Sequence, residues 1–143
     1  SYNKDVFENA QVAARNGVSF DKFYDAYFAQ KDVKTKDDKK KAIDNASGKL
    51  NDKEKYALYQ SLNVGASDER MEKFKPLKSK GMKETDFLKY MDAIDSAKGI
   101  KNQRTGRTVS GTLKNAQYKA LTDAGMSKPQ ARYFMTVMLG SKW

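Results

Sequence analysis

The feature that most constrains the fold is the spacing of the apolar residues, which recur at intervals of three and four along most of the chain. This spacing is the period of one face of an α-helix, whereas the alternation that marks a half-exposed strand is scarce. Glycines interrupt the pattern where a left-handed residue would end a helix. We therefore predict an all-α fold, a multi-helix bundle of about eight short helices.

An internal similarity predicts that the bundle is built from two divergent helical repeats. Residues 20–27 align with residues 87–94 at an offset of 67, and a glycine turn precedes both segments. Each repeat then contains a helix, a glycine turn, an aromatic helix, a basic loop, a helix, a second turn and a capped helix. We place repeat 1 at residues 1–66 and repeat 2 at 67–143, and expect them to pack as one compact domain.

Local signals refine this prediction. Asn51 with Glu54, and Ser127 with Gln130, have the spacing of a capping box at a helix N-terminus. Pro76 falls inside the fifth helical pattern and should kink or split that helix. The aromatic helix of the first repeat carries a stripe that we expect to face the core, made of Phe20, Phe23, Tyr24, Tyr27 and Phe28.

The composition excludes several kinds of chemistry. The chain has no Cys, which removes disulfides, thiolate ligands for zinc and thiol catalysis. It also has no His, the commonest general base and a frequent metal ligand. The remaining carboxylate pairs, such as Asp92 and Asp95, have a spacing that is common on soluble helices. We therefore expect neither an enzyme nor a cofactor nor a metal site.

The charge balance points to an acidic partner of some kind. Lys and Arg outnumber Asp and Glu by 28 to 18, which gives a net charge of +10. Such a surplus attracts nucleic acids, acidic proteins and anionic membrane surfaces alike. No apolar run approaches the ~20 residues that span a bilayer, so we expect no transmembrane segment. The sequence begins with Ser rather than Met, from which we expect a processed product or a piece of a longer protein.

The segment KGIKNQRTGRTVSGTLK, residues 98–114, contains no acidic residue and is the least core-like part of the chain. Its basic residues, which we expect to bind nucleic acid or an acidic partner, are Lys98, Lys101, Arg104, Arg107 and Lys114. Its glycines, which would allow backbone amides to approach a ligand closely, are Gly99, Gly106 and Gly111. A solvated connector between two helices is the competing interpretation.

Two features nearer the C-terminus complete the candidate site. The segment LTDAGMSKPQARYFM has the pattern of a helix-turn-helix in which Arg132 would reach a nucleic acid. A plain helical hairpin fits better, because Pro129 occupies a position where a base-reading side chain would be needed. Trp143 follows the helix stop at Gly140, and we expect it to be available for docking a partner.

Residues 99–135, GIKNQRTGRTVSGTLKNAQYKALTDAGMSKPQARYFM, resemble helical segments of large, multidomain structural or polyvalent proteins of bacteriophages. The loop core that carries this resemblance is GRTVSG, residues 106–111. The resemblance implies a non-enzymatic, all-helical module of a virion-associated or co-injected protein, located in the virion or the host cytoplasm. Its partners would be other phage proteins and possibly packaged DNA. The resemblance supplies no catalytic residue.

Two hypotheses about function follow. The first is a structural or interaction module that presents its basic surface to an acidic partner. The alternative is a nucleic-acid-binding protein that contacts the phosphate backbone through residues such as Lys101, Arg104, Arg107 and Arg132. A membrane-surface protein is less favoured, because the amphipathic helices also carry acids such as Asp21.

Overall fold

The structure is a computed structural model, and it describes residues 2–46 and 48–143. The predicted all-α bundle is confirmed, since these residues contain eight helices, joined by short connections except for the longer one at 97–111. The helices are α1 (Tyr2–Arg15), α2 (Phe20–Gln30), α3 (Lys36–Ala46), α4 (Asp52–Ser61), α5 (Asp68–Ser79), α6 (Glu84–Ser96), α7 (Thr112–Asp123) and α8 (Lys128–Leu139).

The chain divides into two compact units. Unit 1 consists of the residues up to Met71 together with Lys83–Leu88, and unit 2 consists of Glu72–Met82 and Lys89–Trp143. Helices α5 and α6 therefore each contribute to both units. The repeats at 1–66 and 67–143 are a division by sequence similarity, and they stay a prediction.

Unit 1 is organised by the packing of α1 against α2 and α4, and of α2 against α3. The capping box of α4 forms as predicted: the Asn51 side chain accepts from the Glu54 amide at 2.8 Å, and the Glu54 carboxylate accepts from the Asn51 amide at 3.2 Å. Glu54 also accepts a hydrogen bond of 2.7 Å from the Lys22 ammonium of α2. This bond, together with that from the Asn51 amide, lowers the pKa of Glu54 below its ordinary value. One side chain thus caps α4 and joins it to α2.

Unit 2 contains the packed pair of α7 and α8. The Ser127 hydroxyl accepts from the Gln130 amide, and the Gln130 side chain accepts from the Ser127 amide, so the second predicted capping box is also present. On α8, Phe134 is fully buried and lies edge-on to Tyr90 of α6, with ring centres 5.9 Å apart. The other large buried side chains of unit 2 include Phe74, Leu77, Met91, Ile94, Leu121 and Met135.

Of the two outcomes predicted for Pro76, a kink or a split of α5, the split does not occur, since the helix runs continuously from Asp68 to Ser79. A proline removes only one backbone donor, and the buried Phe74 and Leu77 anchor the helix on either side of it.

The aromatic stripe of α2 is only partly buried. Phe23 is fully buried, but Phe20 and Phe28 are 45% and 62% exposed. The Phe20 ring stacks instead on Phe7 of α1, at 6.2 Å between ring centres. The apolar residues of α2 therefore extend around more of the helix than its neighbours cover.

The structure also changes the alignment of the two repeats. Each aromatic helix begins three residues after a glycine of positive φ, namely Gly17 at 91° and Gly81 at 99°. This common turn places Phe23 opposite Phe87 in the alignment, an offset of 64, and both side chains are fully buried. The offset of 67 instead matches Phe87 with the exposed Phe20, so the shared turns favour an alignment shifted by about one helical turn.

Candidate functional site

The net positive charge of the protein belongs to unit 2. Unit 1 has 14 Lys and Arg against 14 Asp and Glu, whereas unit 2 has 14 Lys and Arg against four Asp and Glu. Unit 1 is thus neutral, and the surplus of ten in unit 2 equals that of the whole chain. A negatively charged molecule would therefore be attracted mainly to unit 2.

Part of this charge lies on a small hairpin between α6 and α7. Residues 100–109 form this hairpin, which we call the finger. Lys101 and Thr108 pair as an antiparallel β-bridge. The Asn102 amide donates to the Arg107 carbonyl at 2.8 Å, and the Val109 amide donates to the Ile100 carbonyl at 2.7 Å. Every residue from 100 to 110 is exposed. The segment is therefore a structured and exposed projection between α6 and α7, and both the binding and the connector interpretations stay predictions.

Asn102 organises the tip of the finger. Its side-chain oxygen accepts from the amides of Arg104 at 2.9 Å and Thr105 at 3.1 Å, while its carbonyl accepts from the Gly106 amide at 2.8 Å. The Arg107 amide donates to the Thr105 hydroxyl at 3.3 Å. The amides of Arg104, Thr105, Gly106 and Arg107 thus already have partners inside the finger. A ligand at the tip would therefore meet the side chains before these amides.

Threonine and glycine fix the base of the finger. The Thr112 hydroxyl accepts from the Ile100 amide at 2.9 Å and donates to the Val109 carbonyl at 2.7 Å. A Cβ on Gly99 would lie 2.6 Å from the Thr108 methyl carbon and 3.0 Å from the Leu113 nitrogen. Gly99 is therefore needed for close packing at the base of the finger. This packing accounts for a glycine at position 99, and no ligand has to be invoked.

The finger and the nearby Lys98 carry exposed cations, and the finger contains no acidic residue. The side chains of Lys98, Lys101, Arg104 and Arg107 are exposed, and within the described ranges none of them forms an ion pair. The nearest acidic residues along the sequence are Asp95 and Asp123. Such groups can neutralise phosphate or carboxylate without first breaking an internal salt bridge.

The other predicted site residues meet in a second cluster, made of Lys114, Tyr118, Arg132 and Trp143, which we call the aromatic stack. The Lys114 ammonium lies 4.1 Å from the centre of the Trp143 ring and also donates to the Lys142 carbonyl. The Tyr118 and Trp143 ring centres are 5.3 Å apart. The Arg132 guanidinium carbon lies 5.9 Å from the centre of the Tyr118 ring. These distances are those of cation–π contacts and an aromatic pair.

The stack concerns two expectations from the sequence. Trp143 packs on Tyr118 of α7 while 53% of it stays exposed, and its availability for docking a partner stays a prediction. Arg132 turns back toward α7, which favours the helical hairpin over a recognition helix. Sequence reasoning missed Tyr118, although its place four residues after Lys114 puts both on one face of α7.

A cleft that the described residues form in unit 1 is small. This cleft, lined by residues such as Tyr59, Gln60 and Leu88, has a volume of about 10 Å³, which is room for about one water. Among the described residues, no three acidic side chains are grouped to hold a metal ion. No helix in that part of the chain is both long and apolar enough to cross a membrane.

Comparisons of the chain with protein-family models, with curated proteins and with solved structures found no match. The finger and the aromatic stack therefore have to be interpreted from their own geometry and charge.

Proposed function

We propose that this chain is a non-enzymatic binding module that holds an acidic partner through unit 2, with the finger as the main contact. The observation that carries the proposal is the combination of a neutral unit 1 with a unit 2 whose surplus is ten positive charges. The finger concentrates three of these charges, Lys101, Arg104 and Arg107, on an exposed and internally hydrogen-bonded projection.

A preformed finger favours binding for a simple reason. Ordering a flexible loop on association costs conformational entropy, which lowers affinity. Here the backbone of the tip is already fixed by Asn102 and the base by Thr112, so that cost is smaller. The finger also lacks internal ion pairs that a partner would have to displace.

The setting of this module is part of the proposal. The resemblance of residues 99–135 to segments of large phage structural or polyvalent proteins supports a virion-associated or co-injected protein. The partner would then be another phage protein with an acidic surface, and the protein would act in the virion or in the host cytoplasm. No catalytic role is assigned to any residue.

A second candidate function is binding to a nucleic acid through its phosphates. The observation that favours it is the aromatic stack, in which Lys114 and Arg132 lie beside the rings of Trp143 and Tyr118. Nucleic-acid surfaces often combine cations with aromatic rings, whereas an acidic protein needs only the cations.

The test compares three proteins of known charge in a binding assay. The finger variant carries Lys101→Ala, Arg104→Ala and Arg107→Ala. The matched control loses the same charge from exposed positions of unit 1, through Lys34→Ala, Lys41→Ala and Lys49→Ala. Fluorescence anisotropy is measured with labelled polyglutamate and with labelled duplex DNA. We expect the control to bind as the unchanged protein does and the finger variant to lose most of its affinity. An equal loss in both variants would mean that net charge alone drives binding, and would overturn the proposal.

A further inference from the structure

We infer that the aromatic stack is a stacking site for an unpaired nucleic-acid base, so that unit 2 binds single-stranded nucleic acid with its phosphates on the finger and one base on Trp143. This inference rests on the second candidate function, the binding of nucleic-acid phosphates by unit 2, and it names the kind of nucleic acid that is bound. It is carried by the contacts of Trp143 with Lys114 and Tyr118, and by the exposure of that ring.

The exposed ring is the first step of the argument. Trp143 is 53% exposed although it packs on Tyr118 and contacts the Lys114 ammonium. A base can stack on such a ring because every base has a flat π-face, and this contact does not depend on sequence. In a duplex the bases are already stacked on one another, so only an unpaired base can reach the ring.

The cations of the stack are the second step. Lys114 lies at the Trp143 ring and Arg132 lies at the Tyr118 ring, with distances of 4.1 and 5.9 Å to the ring centres. A base that stacks on Trp143 therefore brings its phosphates close to groups that neutralise them. An acidic peptide would use the same cations but has no flat ring to place on Trp143.

The position of the stack next to the finger is the third step. Thr112 fixes the base of the finger and is also the first residue of α7, the helix that carries Lys114 and Tyr118. The basic groups of the finger and Lys114 of the stack therefore belong to one continuous segment, while Arg132 reaches the stack from α8. A strand bound at the finger has Lys114 available along the same segment.

Unit 1 provides a contrast that sharpens the inference. Its exposed rings at Phe7 and Phe20 stack on each other at 6.2 Å, and the neighbouring exposed residue Asp21 is acidic. Exposed apolar rings there lack the surrounding surplus of positive charge. Exposed rings alone therefore do not indicate a stacking site. Exposed rings combined with nearby cations, as in unit 2, do indicate one.

Trp143 is the only Trp of the chain, so its intrinsic fluorescence reports on the stack directly. The 143-residue protein is titrated with oligothymidylate and, in parallel, with heparin, a polyanion without bases, while anisotropy of labelled forms measures binding. We expect oligothymidylate to quench the Trp143 emission on binding and heparin to bind with little quenching. Binding of oligothymidylate without quenching would overturn the stacking site but leave the proposed function standing. If neither oligothymidylate nor heparin binds, both the stacking site and the proposed function are overturned.

Variants separate stacking from a structural role. Trp143→Leu should lower the affinity for oligothymidylate by about 5- to 100-fold, the range for loss of one stacked base, and Trp143→Phe should restore most of it. Heparin affinity should change by no more than about twofold, since no charge is removed. The matched control is Tyr133→Leu, which removes another exposed ring of unit 2 that also has a lysine, Lys80, at 4.1 Å. An equal loss of heparin and oligothymidylate affinity in Trp143→Leu, or an equal effect of Tyr133→Leu, would contradict the inference.

Discussion

The amide of Asn102 donates to the carbonyl of Arg107 at 2.8 Å, and this bond joins the two sides of the finger beside its tip. Arg104 lies between these two residues, and Lys101 precedes Asn102. The three cations on which the proposed function depends therefore belong to a backbone whose shape is set by local hydrogen bonds. Changes to that backbone should alter binding even when no charge is removed.

Gly99→Ala tests this dependence on shape. The added methyl group would lie within 2.6 Å of the Thr108 methyl carbon and 3.0 Å from the Leu113 nitrogen, so the base of the finger must shift. We expect affinity for an acidic partner to fall by about fivefold, or about 1 kcal/mol, although the charge is unchanged. Ser110→Ala, at an exposed position beside the finger, is the control. Equal affinity of Gly99→Ala and Ser110→Ala would show that the shape of the finger does not matter.

Deletion of residues 101–110, which removes nearly all of the finger, should leave the helical core intact. Residues 101–110 are all exposed, so their deletion takes almost no apolar surface from the core. We expect helicity by circular dichroism to be preserved and the free energy of unfolding to change by less than about 0.5 kcal/mol. Phe134→Ala, at a fully buried position of α8, should cost about 3–5 kcal/mol in the same assay. A loss of cooperative unfolding in the deletion variant would mean that the finger is packed rather than exposed.

The repeat alignment makes a separate prediction about unit 1. Phe23 and Phe87 are both fully buried, so replacing either by Ala should lower the free energy of unfolding by about 3–5 kcal/mol. Phe20 is 45% exposed and Phe20→Ala should cost less than about 1.5 kcal/mol, including its stacking on Phe7. Chemical denaturation measures all three. Comparable costs for Phe20 and Phe87 would instead support the offset of 67.

The sequence predicted most of the fold because helix formation depends on local signals. Both capping boxes, at Asn51 and Ser127, appeared in the sequence and are present in the structure. The spacing of the apolar residues correctly indicated helices, but it failed to tell which side of α2 faces the core. Phe20 and Phe23 differ in exposure only because of what packs against them, and that depends on tertiary contacts.

The candidate site was predictable in its charges but not in its geometry. All six basic residues and Trp143 were named from composition and position, yet the hairpin required knowing that Lys101 faces Thr108. The stack was missed because Tyr118 and Trp143 are far apart in the sequence. Residues that meet only through folding leave no local pattern of that kind.

The contact between Lys22 and Glu54 predicts how the stability of unit 1 depends on pH. The hydrogen bonds from Lys22 and from the Asn51 amide lower the pKa of Glu54 in the folded protein. Ionised Glu54 therefore stabilises the fold at pH values above the ordinary pKa of a carboxyl group. That contribution is lost as the pH falls through the lowered pKa. We expect Glu54→Gln to have a lower Tm than the unchanged protein at pH 7, and the difference to shrink toward pH 3.

The control for this prediction is an ion pair on the surface. Glu72 and Lys75 lie 2.9 Å apart on α5, but both side chains are 70% exposed, and such pairs contribute little. Glu72→Gln should therefore leave Tm nearly unchanged at either pH. A difference between Glu54→Gln and the unchanged protein that persists at pH 3 would mean that capping geometry, not the charge of Glu54, is responsible.

The most direct test of the central claim is the salt dependence of binding to duplex DNA, measured for the unchanged protein, the finger variant and the control altered at Lys34, Lys41 and Lys49. If Lys101, Arg104 and Arg107 each neutralise a phosphate, the slope of log affinity against log salt should become shallower by about 2.7 in the finger variant, at about 0.9 per phosphate. The control should keep the slope of the unchanged protein. The same slope in all three proteins would contradict the claim that the finger is where this protein holds an acidic partner.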